Sequence, residues 1–220
     1  MDITLILDAS LALSKELAKI YTVEKNNLLL VSYSIDELKA LKEELLILNP
    51  NLLIDIYQCN IENKEELNKL FVYLVINEYK INRLIFNMDY SIDKNMINLS
   101  NEEIDVMMNI NNNAFISLIK HSLIDMNEAR LGEILYISSI DNDTPLKAAN
   151  TSFNNQLIKS LTKEYEDKNI KFLIYYLNKS KTLNNDQAKY AVRAVNALNK
   201  NKKEAYYSFL TKIKNNKKRC

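Results

Sequence analysis

The chain has 220 residues, 47% of them hydrophobic, and its 29 basic and 28 acidic side chains leave a formal net charge of +1. This length and apolar content suit one α/β domain with a sizeable core, and the near-zero charge argues against nucleic acid or an anionic membrane as a partner. Two cysteines and a single histidine are too few for a disulfide framework or a zinc site, so we predict no metal. No apolar run approaches the roughly 18 residues of a membrane span, and we expect a cytoplasmic protein.

Short β-rich runs alternate with longer segments of helical period along the chain. The predicted strands are residues 3–7, 28–32, 53–58, 83–87, 133–138, 171–176 and 205–209. Helical periods follow the first three strands, and later helices are predicted at 102–126, 152–166 and 186–198. Ser34 with Glu37 and Ser100 with Glu103 have the spacing of capping boxes, which predicts a helix start at each pair.

Continuous apolar strands that alternate with helices require a parallel sheet that is covered on both faces. We therefore predict an α/β fold, a doubly wound parallel sheet of about seven strands with helices on both faces. Residues 1–211 are predicted to form this single domain. The one like-charge cluster, KIKNNKKRC, is predicted to be a solvated basic tail over 212–220. Such a fold binds ligands at the carboxyl ends of its strands, so the loops that follow the strands are the candidate site.

The first of these loops is DASLALS, Asp8 to Ser14, which joins an apolar strand to a helix without any glycine. Two interpretations stay open. The N–H groups at the start of the helix are able to hold the phosphates of a nucleotide. Alternatively, the side chain of Asp8 or Ser10 caps that helix from within the chain.

Seven segments in the loops and their neighbouring elements follow one another along the chain: LILDASLALSKELAKIY, LLLVSYSIDELKAL, QCNIENKEEL, LIFNMDYS, INNNAF, EILYISSI and YYLNKSKT. They resemble, in the same order, segments of the short-chain dehydrogenase/reductase family. The first four resemble its TGxxxGxG turn and first helix, its second strand and helix, its Asp-Val segment and its NNAG segment. The last three resemble its fifth helix, its serine-bearing strand and its PGxxxT segment. The resemblance covers nearly the whole chain. It implies a Rossmann-type fold that binds NAD or NADP and transfers hydride.

The resemblance also identifies the cofactor-binding positions and shows how they have changed. The three glycines of the family's first turn correspond to Asp8, Ala12 and Ser14. An aspartate beside a diphosphate is unfavourable, because two unit charges about 4 Å apart repel by about 1 kcal/mol in water and about 4 kcal/mol at an effective dielectric constant of about 20. The cofactor is therefore expected to be NAD or NADP by resemblance, or none. The complete set of family-equivalent positions is Asp8, Ser10, Ala12, Leu13, Ser14, Tyr33, Asn60, Ile61, Asn87 and Thr182.

Two of the four catalytic positions implied by the resemblance keep the family's residue. Ser139 matches the serine that polarises the substrate carbonyl, and Asn111 matches the asparagine that orders a proton-relay water. Lys147 stands where the family has its proton-donating tyrosine, and Thr151 where it has the lysine that lowers the pKa of that tyrosine. No tyrosine lies between residues 137 and 164, so no shift of the alignment restores the pair.

Simpler roles stay open for the residues that match. A serine at a strand end commonly bonds its own turn, which would account for Ser139. Asparagines compete with helical hydrogen bonds, so Asn111–Asn113 are expected to interrupt the long helix at 102–126. Tyr90, in the Tyr-x-x-x-Lys segment YSIDK after the fourth strand, is either a displaced proton donor or an ordinary loop residue.

The sequence thus predicts a degenerate homologue that has lost hydride transfer and acts as a non-catalytic subunit or interaction protein. By resemblance, a homodimer or hetero-oligomer is expected to form through the helices at 102–126 and 152–166. The alternative is an active NAD(P)-dependent oxidoreductase in which Ser139, Asn111 and either Lys147 or Tyr90 serve the relay. A third hypothesis is a binder of another nucleotide or metabolite, held by Asn60, Asn87 and Thr182.

Overall fold

The computed structural model describes residues 1–87, 90–141, 144–178 and 186–207. Within these residues seven strands form one sheet in the order β3-β2-β1-β4-β5-β6-β7, and every pair of neighbours is parallel. The strands are β1 (Asp2–Leu7), β2 (Leu28–Ser32), β3 (Ile54–Gln58), β4 (Lys80–Phe86), β5 (Gly132–Ser139), β6 (Ile170–Leu177) and β7 (Glu204–Tyr206). The predicted doubly wound sheet is confirmed. Its strand order reverses between β1 and β4, which places a crevice at the carboxyl ends of these strands.

Helices cover both faces of the sheet. They are α1 (Ala12–Val23), α2 (Ile35–Leu48), α3 (Lys64–Ile76), α4 (Asn101–Met108), α5 (Phe115–Ala129), α6 (Pro145–Glu164) and α7 (Gln187–Asn199). On one face α1, α2 and α7 pack through a core that includes Leu17 and Ala194, and on the other α3, α5 and α6 pack through one that includes Leu70 and Ile158. Because both faces are covered, a strand such as β2, LLLVS, is buried at every position.

The predicted capping residues begin their helices. Ser34 is the N-cap of α2, and its side chain accepts a hydrogen bond from the backbone N–H of Glu37 at 3.4 Å. Ser100 and Glu103 form a complete capping box at the start of α4, in which each side chain bonds the backbone N–H of the other residue.

Two helices differ from their predicted extents. The helix predicted at 102–126 is divided into α4, a π-helical segment (Asn109–Ala114) and α5, so the predicted interruption at the asparagines is confirmed. The helix predicted at 152–166 is α6, which begins at Pro145, seven residues earlier. Its N-cap is Thr144, whose hydroxyl accepts from the backbone N–H of Lys147, and proline suits the first position of a helix because its missing N–H is not needed there.

Two further observations complete the fold. Across the described ranges, no helix is both long and apolar enough to cross a membrane, and no group of three or more His, Cys, Asp or Glu side chains is placed to hold a metal ion. Thr182 and the predicted basic tail at 212–220 lie outside the residues that the structure describes.

Candidate functional site

The first turn of the crevice is closed by an aspartate in a left-handed conformation. Asp8 follows β1 with φ 49°, and its carbonyl oxygen accepts from the N–H of Leu11 at 3.1 Å. Asp and Asn tolerate this region of backbone space better than most residues other than glycine. The turn that glycine would permit is therefore made here by a residue with a charged side chain.

The side chain of Asp8 contacts the end of the neighbouring strand. Its Oδ1 accepts from the hydroxyl of Ser10 at 2.8 Å, and the hydroxyl of Ser32, at the end of β2, lies 2.9 Å from the Oγ of Ser10 and 3.5 Å from the same Oδ1. The N-cap of α1 is instead Leu11, which makes no side-chain cap hydrogen bond. The interpretation that Asp8 or Ser10 caps α1 is therefore wrong: the helix begins one residue beyond Ser10, and the hydroxyl of Ser10 donates to Asp8.

The other two glycine positions lie within α1. Ala12 is its first residue, and Ser14 is fully buried against the sheet. The hydroxyl of Ser14 accepts from the side-chain amide of Asn87 at 3.0 Å, which ties α1 to the end of β4. Leu13, also buried, belongs to the hydrophobic core on this face. Ser14 and Leu13 thus hold α1 against the sheet through their side chains.

A cleft of about 380 Å³ opens beside the first turn. It is lined by Asp8, Ser32, Tyr33, Cys59, Asn60, Ile61, Glu62, Tyr90 and Ile110. The structure thus brings together four of the predicted cofactor positions, namely Asp8, Tyr33, Asn60 and Ile61. Burial, with a smaller contribution from Glu66, raises the pKa of the Cys59 thiol to about 12, which disfavours the thiolate at neutral pH.

The chemistry of these residues does not fit the diphosphate of a dinucleotide. Two lining residues, Asp8 and Glu62, are acidic and none of the nine is basic. Side chains stand at all three glycine positions, and the one at the turn is a carboxylate that accepts hydrogen bonds from hydroxyls. Like charge at the turn opposes a bound diphosphate.

The positions that correspond to the family's catalytic serine, tyrosine and lysine lie at the end of β5 and at the start of α6. Ser139 is the last residue of β5, and its Oγ accepts from the backbone N–H of Asp141 at 3.2 Å. The simpler role expected for Ser139, that it bonds its own turn, is therefore what the structure places there. Lys147 and Thr151 are both buried in the first two turns of α6.

The asparagine position holds the loop that follows β4. The Oδ1 of Asn111 accepts from the backbone N–H of Tyr90 at 3.0 Å, and its Nδ2 donates to the carbonyl oxygen of Tyr90 at 2.8 Å. These two hydrogen bonds fix the backbone of Tyr90, which lines the cleft. The two residues are 21 positions apart, and no local pattern indicates the pairing.

A buried set of amides that the sequence reasoning missed surrounds the π-helical segment. The Nδ2 of Asn154 donates to the backbone carbonyl of Asn111 at 2.8 Å, and the Nδ2 of Asn112 donates to the Oδ1 of Asn150 at 3.0 Å. The signal was available, because Lys147, Asn150 and Asn154 recur at helical spacing in line with the buried Ile158. Polar residues on the inner face of a helix indicate partners inside the fold.

Comparisons with known proteins agree with this fold. A family model described as short chain dehydrogenase matches residues 2–189. A short-chain dehydrogenase from Sphingobium yanoikuyae in complex with NADPH is 17% identical over 95% of this chain and 88% of its own, with a TM-score of 0.82. The bulky-bulky ketone specific alcohol dehydrogenase from Comamonas testosteroni is 18% identical over 100% and 92%, with a TM-score of 0.83. No curated protein sequence matches significantly.

A third structure, a metagenomic short-chain oxidoreductase in complex with NADP, is 14% identical over 93% of this chain and 94% of its own, with a TM-score of 0.79. At these identities the solved structures establish the fold, and the family model establishes the lineage.

Proposed function

The chain belongs to the short-chain dehydrogenase family, and from that premise we propose that it is a member without hydride-transfer chemistry that acts as a non-catalytic subunit or interaction protein. The proposal rests on one observation above the others. The position of the proton-donating tyrosine is occupied by Lys147 and that of its lysine by Thr151, and both side chains are buried in α6. A lysine at the tyrosine position, with a threonine four residues later, lacks the phenol whose lowered pKa the family chemistry requires.

Two contacts support this proposal. The Oγ of Ser139 accepts a hydrogen bond from the N–H of Asp141, which engages the group that would face a substrate carbonyl. The carbonyl of Asn111 accepts from the amide of Asn154, so this asparagine is bonded within the protein at both its backbone and its side chain. Both residues that match the family thus have structural hydrogen bonds.

The outer face of α5 and α6 supports a role in assembly. A groove of about 460 Å³ between these helices is lined mainly by apolar residues: Ile116, Ile119, Lys120, Leu123, Ile124, Asn127, Leu157, Leu161 and Tyr165. Ile124 is 60% exposed, and Phe153 on α6 is 46% exposed. We propose that this face, within 102–126 and 152–166, pairs with a second copy or with a related family member, since large apolar side chains grouped at a surface favour association.

The test of lost chemistry combines binding with turnover. The protein is titrated with NADH and NADPH by calorimetry and is assayed for cofactor oxidation against a panel of ketones and aldehydes. Thermal unfolding is also followed with and without cofactor. We expect no turnover and no rise in the unfolding temperature, whereas a ligand at about 100 times its dissociation constant would stabilise the fold by about 2.7 kcal/mol. Micromolar binding with turnover that Ser139→Ala or Tyr90→Phe abolishes would establish the active alternative instead.

The test of assembly uses light scattering after size-exclusion chromatography. Ile124→Glu places a charge on the proposed face. Its matched control is Ile47→Glu, because Ile47 lies on α2, away from that face, and is 83% exposed. If the face pairs copies of this chain, Ile124→Glu yields monomers while Ile47→Glu leaves the wild-type mass unchanged. A wild-type monomer that also stays monomeric beside co-expressed family members would contradict the proposed assembly.

A further inference from the structure

We propose that Asp55 closes the open edge of the sheet, so that β3 does not pair with the β3 of a second copy of this chain. Such a role is independent of the cofactor positions and of the face of α5 and α6. The contact that carries it lies on β3 itself, where the backbone N–H of Ile56 donates a hydrogen bond to the Oδ1 of Asp55 at 2.9 Å.

The strand β3 stands at one end of the sheet, and within the described residues only β2 pairs with it. The carbonyl oxygen of Leu53 accepts from the N–H of Leu28 on β2 at 2.9 Å. Successive residues of a strand turn their main-chain groups to opposite sides, so the odd-numbered residues of β3 bond β2. The main-chain groups of Ile54, Ile56 and Gln58 therefore face the open side.

The segment along this edge has the composition of a strand that pairs readily. LLIDIYQ, residues 52–58, is mainly apolar, has two isoleucines and a tyrosine, which favour strands, and contains no proline. Asp55 is its central residue and its single charge. Aspartate is disfavoured in strands, and charged residues on edge strands prevent edge-to-edge association. The charge therefore stands where pairing would otherwise be most favourable.

Asp55 also occupies the central donor of the open side. Ile56 is the middle one of the three residues that face this side, so a strand that pairs along the edge needs its N–H. In an antiparallel pair centred on Ile56, the two copies of this residue would exchange both of their N–H···O bonds. The carboxylate of Asp55 holds that N–H instead. Such a pair would also place the two Asp55 side chains at diagonal positions roughly 7–8 Å apart, and their like charges oppose association.

The carboxylate of Asp55 is anchored from within the fold. Its Oδ2 accepts from the hydroxyls of Tyr73, on α3, and Tyr79, just before β4. The ring of Tyr73 in turn packs against that of Tyr57, with the two centroids 4.7 Å apart. Because two phenols bond one oxygen, the other oxygen is available to the edge N–H. Asp55 is thus held at the edge by three donors, unlike a freely solvated surface aspartate.

The experiment measures the mass of variants by light scattering after size-exclusion chromatography, over a range of protein concentrations. Asp55→Val removes the carboxylate and favours a strand. Its weight-average mass at high concentration should be at least about two-fold that of the wild type, whatever assembly the wild type forms. Ile56→Pro removes the N–H itself, and proline is tolerated in an edge strand where the N–H faces solvent. The double variant Asp55→Val/Ile56→Pro should therefore return to the wild-type mass.

The control for lost stability is Glu133→Gln, at the start of β5 and four strands away from β3. It should keep the wild-type mass. The inference is overturned by an Asp55→Val protein that is folded by circular dichroism and keeps the wild-type mass at every concentration. Association of the double variant, or of Glu133→Gln, to the same extent as Asp55→Val would overturn it as well.

If Asp55→Val does not fold, amide hydrogen exchange in the wild type decides. Measured by NMR, the N–H of Ile56 should exchange at least about ten-fold more slowly than that of Gln58, which faces the same open side, because the carboxylate of Asp55 holds it. Equal exchange rates at the two positions would refute the inference.

Discussion

The side-chain amide of Asn154 donates a hydrogen bond to the backbone carbonyl oxygen of Asn111 at 2.8 Å and thereby joins α6 to the π-helical segment. Both residues are buried. A π-helical segment departs from the regular hydrogen-bond pattern of an α-helix and occurs frequently at functional sites. In this chain the amide of α6 bonds a carbonyl within that irregularity, so a position implied by resemblance to belong to a proton relay has a structural role.

The first prediction concerns Asn154→Asp. The substitution is nearly isosteric but replaces the donor with an acceptor, and it buries a titratable acid beside a carbonyl. Loss of a buried hydrogen bond costs about 1–3 kcal/mol, and ionisation adds to that cost. Burial should raise the pKa of the new acid above its unfolded value of about 3.9, so the destabilisation grows as pH rises from about 4 to 7.

Urea unfolding followed by circular dichroism at pH 5 and pH 7 measures this effect, because the chain has no tryptophan for fluorescence. Asn113→Asp is the matched control: Asn113 lies in the same π-helical segment but is exposed. Equal losses of stability in the two variants would show that the bond between Asn154 and Asn111 contributes little.

The second prediction concerns a charge cluster at the opposite ends of the central strands. Glu133 accepts from Arg83 at 2.6 Å and from Lys171 at 3.0 Å, and the Arg83 and Glu133 side chains are only 16% and 12% exposed. Glu133→Gln leaves two cations without their counter-charge, which should cost about 3 kcal/mol or more. Glu128→Gln, in the exposed pair with Lys80, should cost less than about 1 kcal/mol. Chemical denaturation at pH 7 compares them, and similar costs would contradict the prediction.

The same cluster predicts an acid-sensitive contribution to stability. Burial alone would raise the pKa of Glu133, but the charges and hydrogen bonds of Arg83 and Lys171 outweigh it and lower the pKa. A carboxyl group with a lowered folded pKa stabilises the protein above its unfolded pKa of about 4.3, and this stabilisation is lost as pH falls through the folded value. The free energies of unfolding of wild type and Glu133→Gln should therefore converge below about pH 4. A difference in free energy of unfolding between the two proteins that stays constant below about pH 4 would contradict this prediction.

The third prediction concerns the edge strand β3. The Oδ2 of Asp55 accepts from the hydroxyls of Tyr73 at 2.6 Å and Tyr79 at 3.0 Å. Burial and, after it, the bond to Asp55 raise the pKa of Tyr79 to about 12. The stabilisation from this phenol is therefore present below the unfolded pKa of about 10 and is lost as pH rises through about 12.

Tyr79→Phe should cost about 1.5 kcal/mol at pH 7, since it removes a hydrogen bond to a charged group, and the difference from wild type should narrow above pH 10. Urea unfolding between pH 7 and pH 11 measures it. Tyr33→Phe, on a ring that is 72% exposed, is the control and should change stability little. A difference between wild type and Tyr79→Phe that stays constant to pH 11 would contradict the role of the bond to Asp55.

Sequence patterns predicted the fold because its strands and capping residues carry local signals. Continuous apolar runs located all seven strands, and Ser34 and Ser100 located two helix starts. The start of α6 was missed because its inner face is polar: Lys147, Asn150 and Asn154 are buried where apolar periodicity would be sought. Lys147 also stands at one of the catalytic positions that the resemblance implies, so the pattern fails in a region where the family has its chemistry.

The side-chain contacts of the site could not be predicted in the same way. The sequence suggests Asp8 and Ser10 as helix caps because it shows only their local neighbours, whereas their partner, Ser32, lies more than 20 residues away on β2. The bond between Asn154 and Asn111 spans 43 residues. Such pairs depend on how strands and helices are brought together, which residue spacing alone does not report.

The last prediction concerns Gly132, the single glycine of the chain. It begins β5, and a Cβ built on it would lie 2.7 Å from the Cβ of Met126, with the Cγ and Sδ of Met126 closer still. Its φ is not positive, so close packing against α5 is the reason for glycine here. Since the nearest atoms include a Cβ that cannot rotate away, Gly132→Ala should move α5 and cost about 1–3 kcal/mol, measured by urea unfolding. Leu131→Ala, at an exposed neighbour, should cost less than about 0.5 kcal/mol, and combining Gly132→Ala with Met126→Ala should recover part of the packing loss. A Gly132→Ala variant as stable as wild type would show that α5 adjusts without strain.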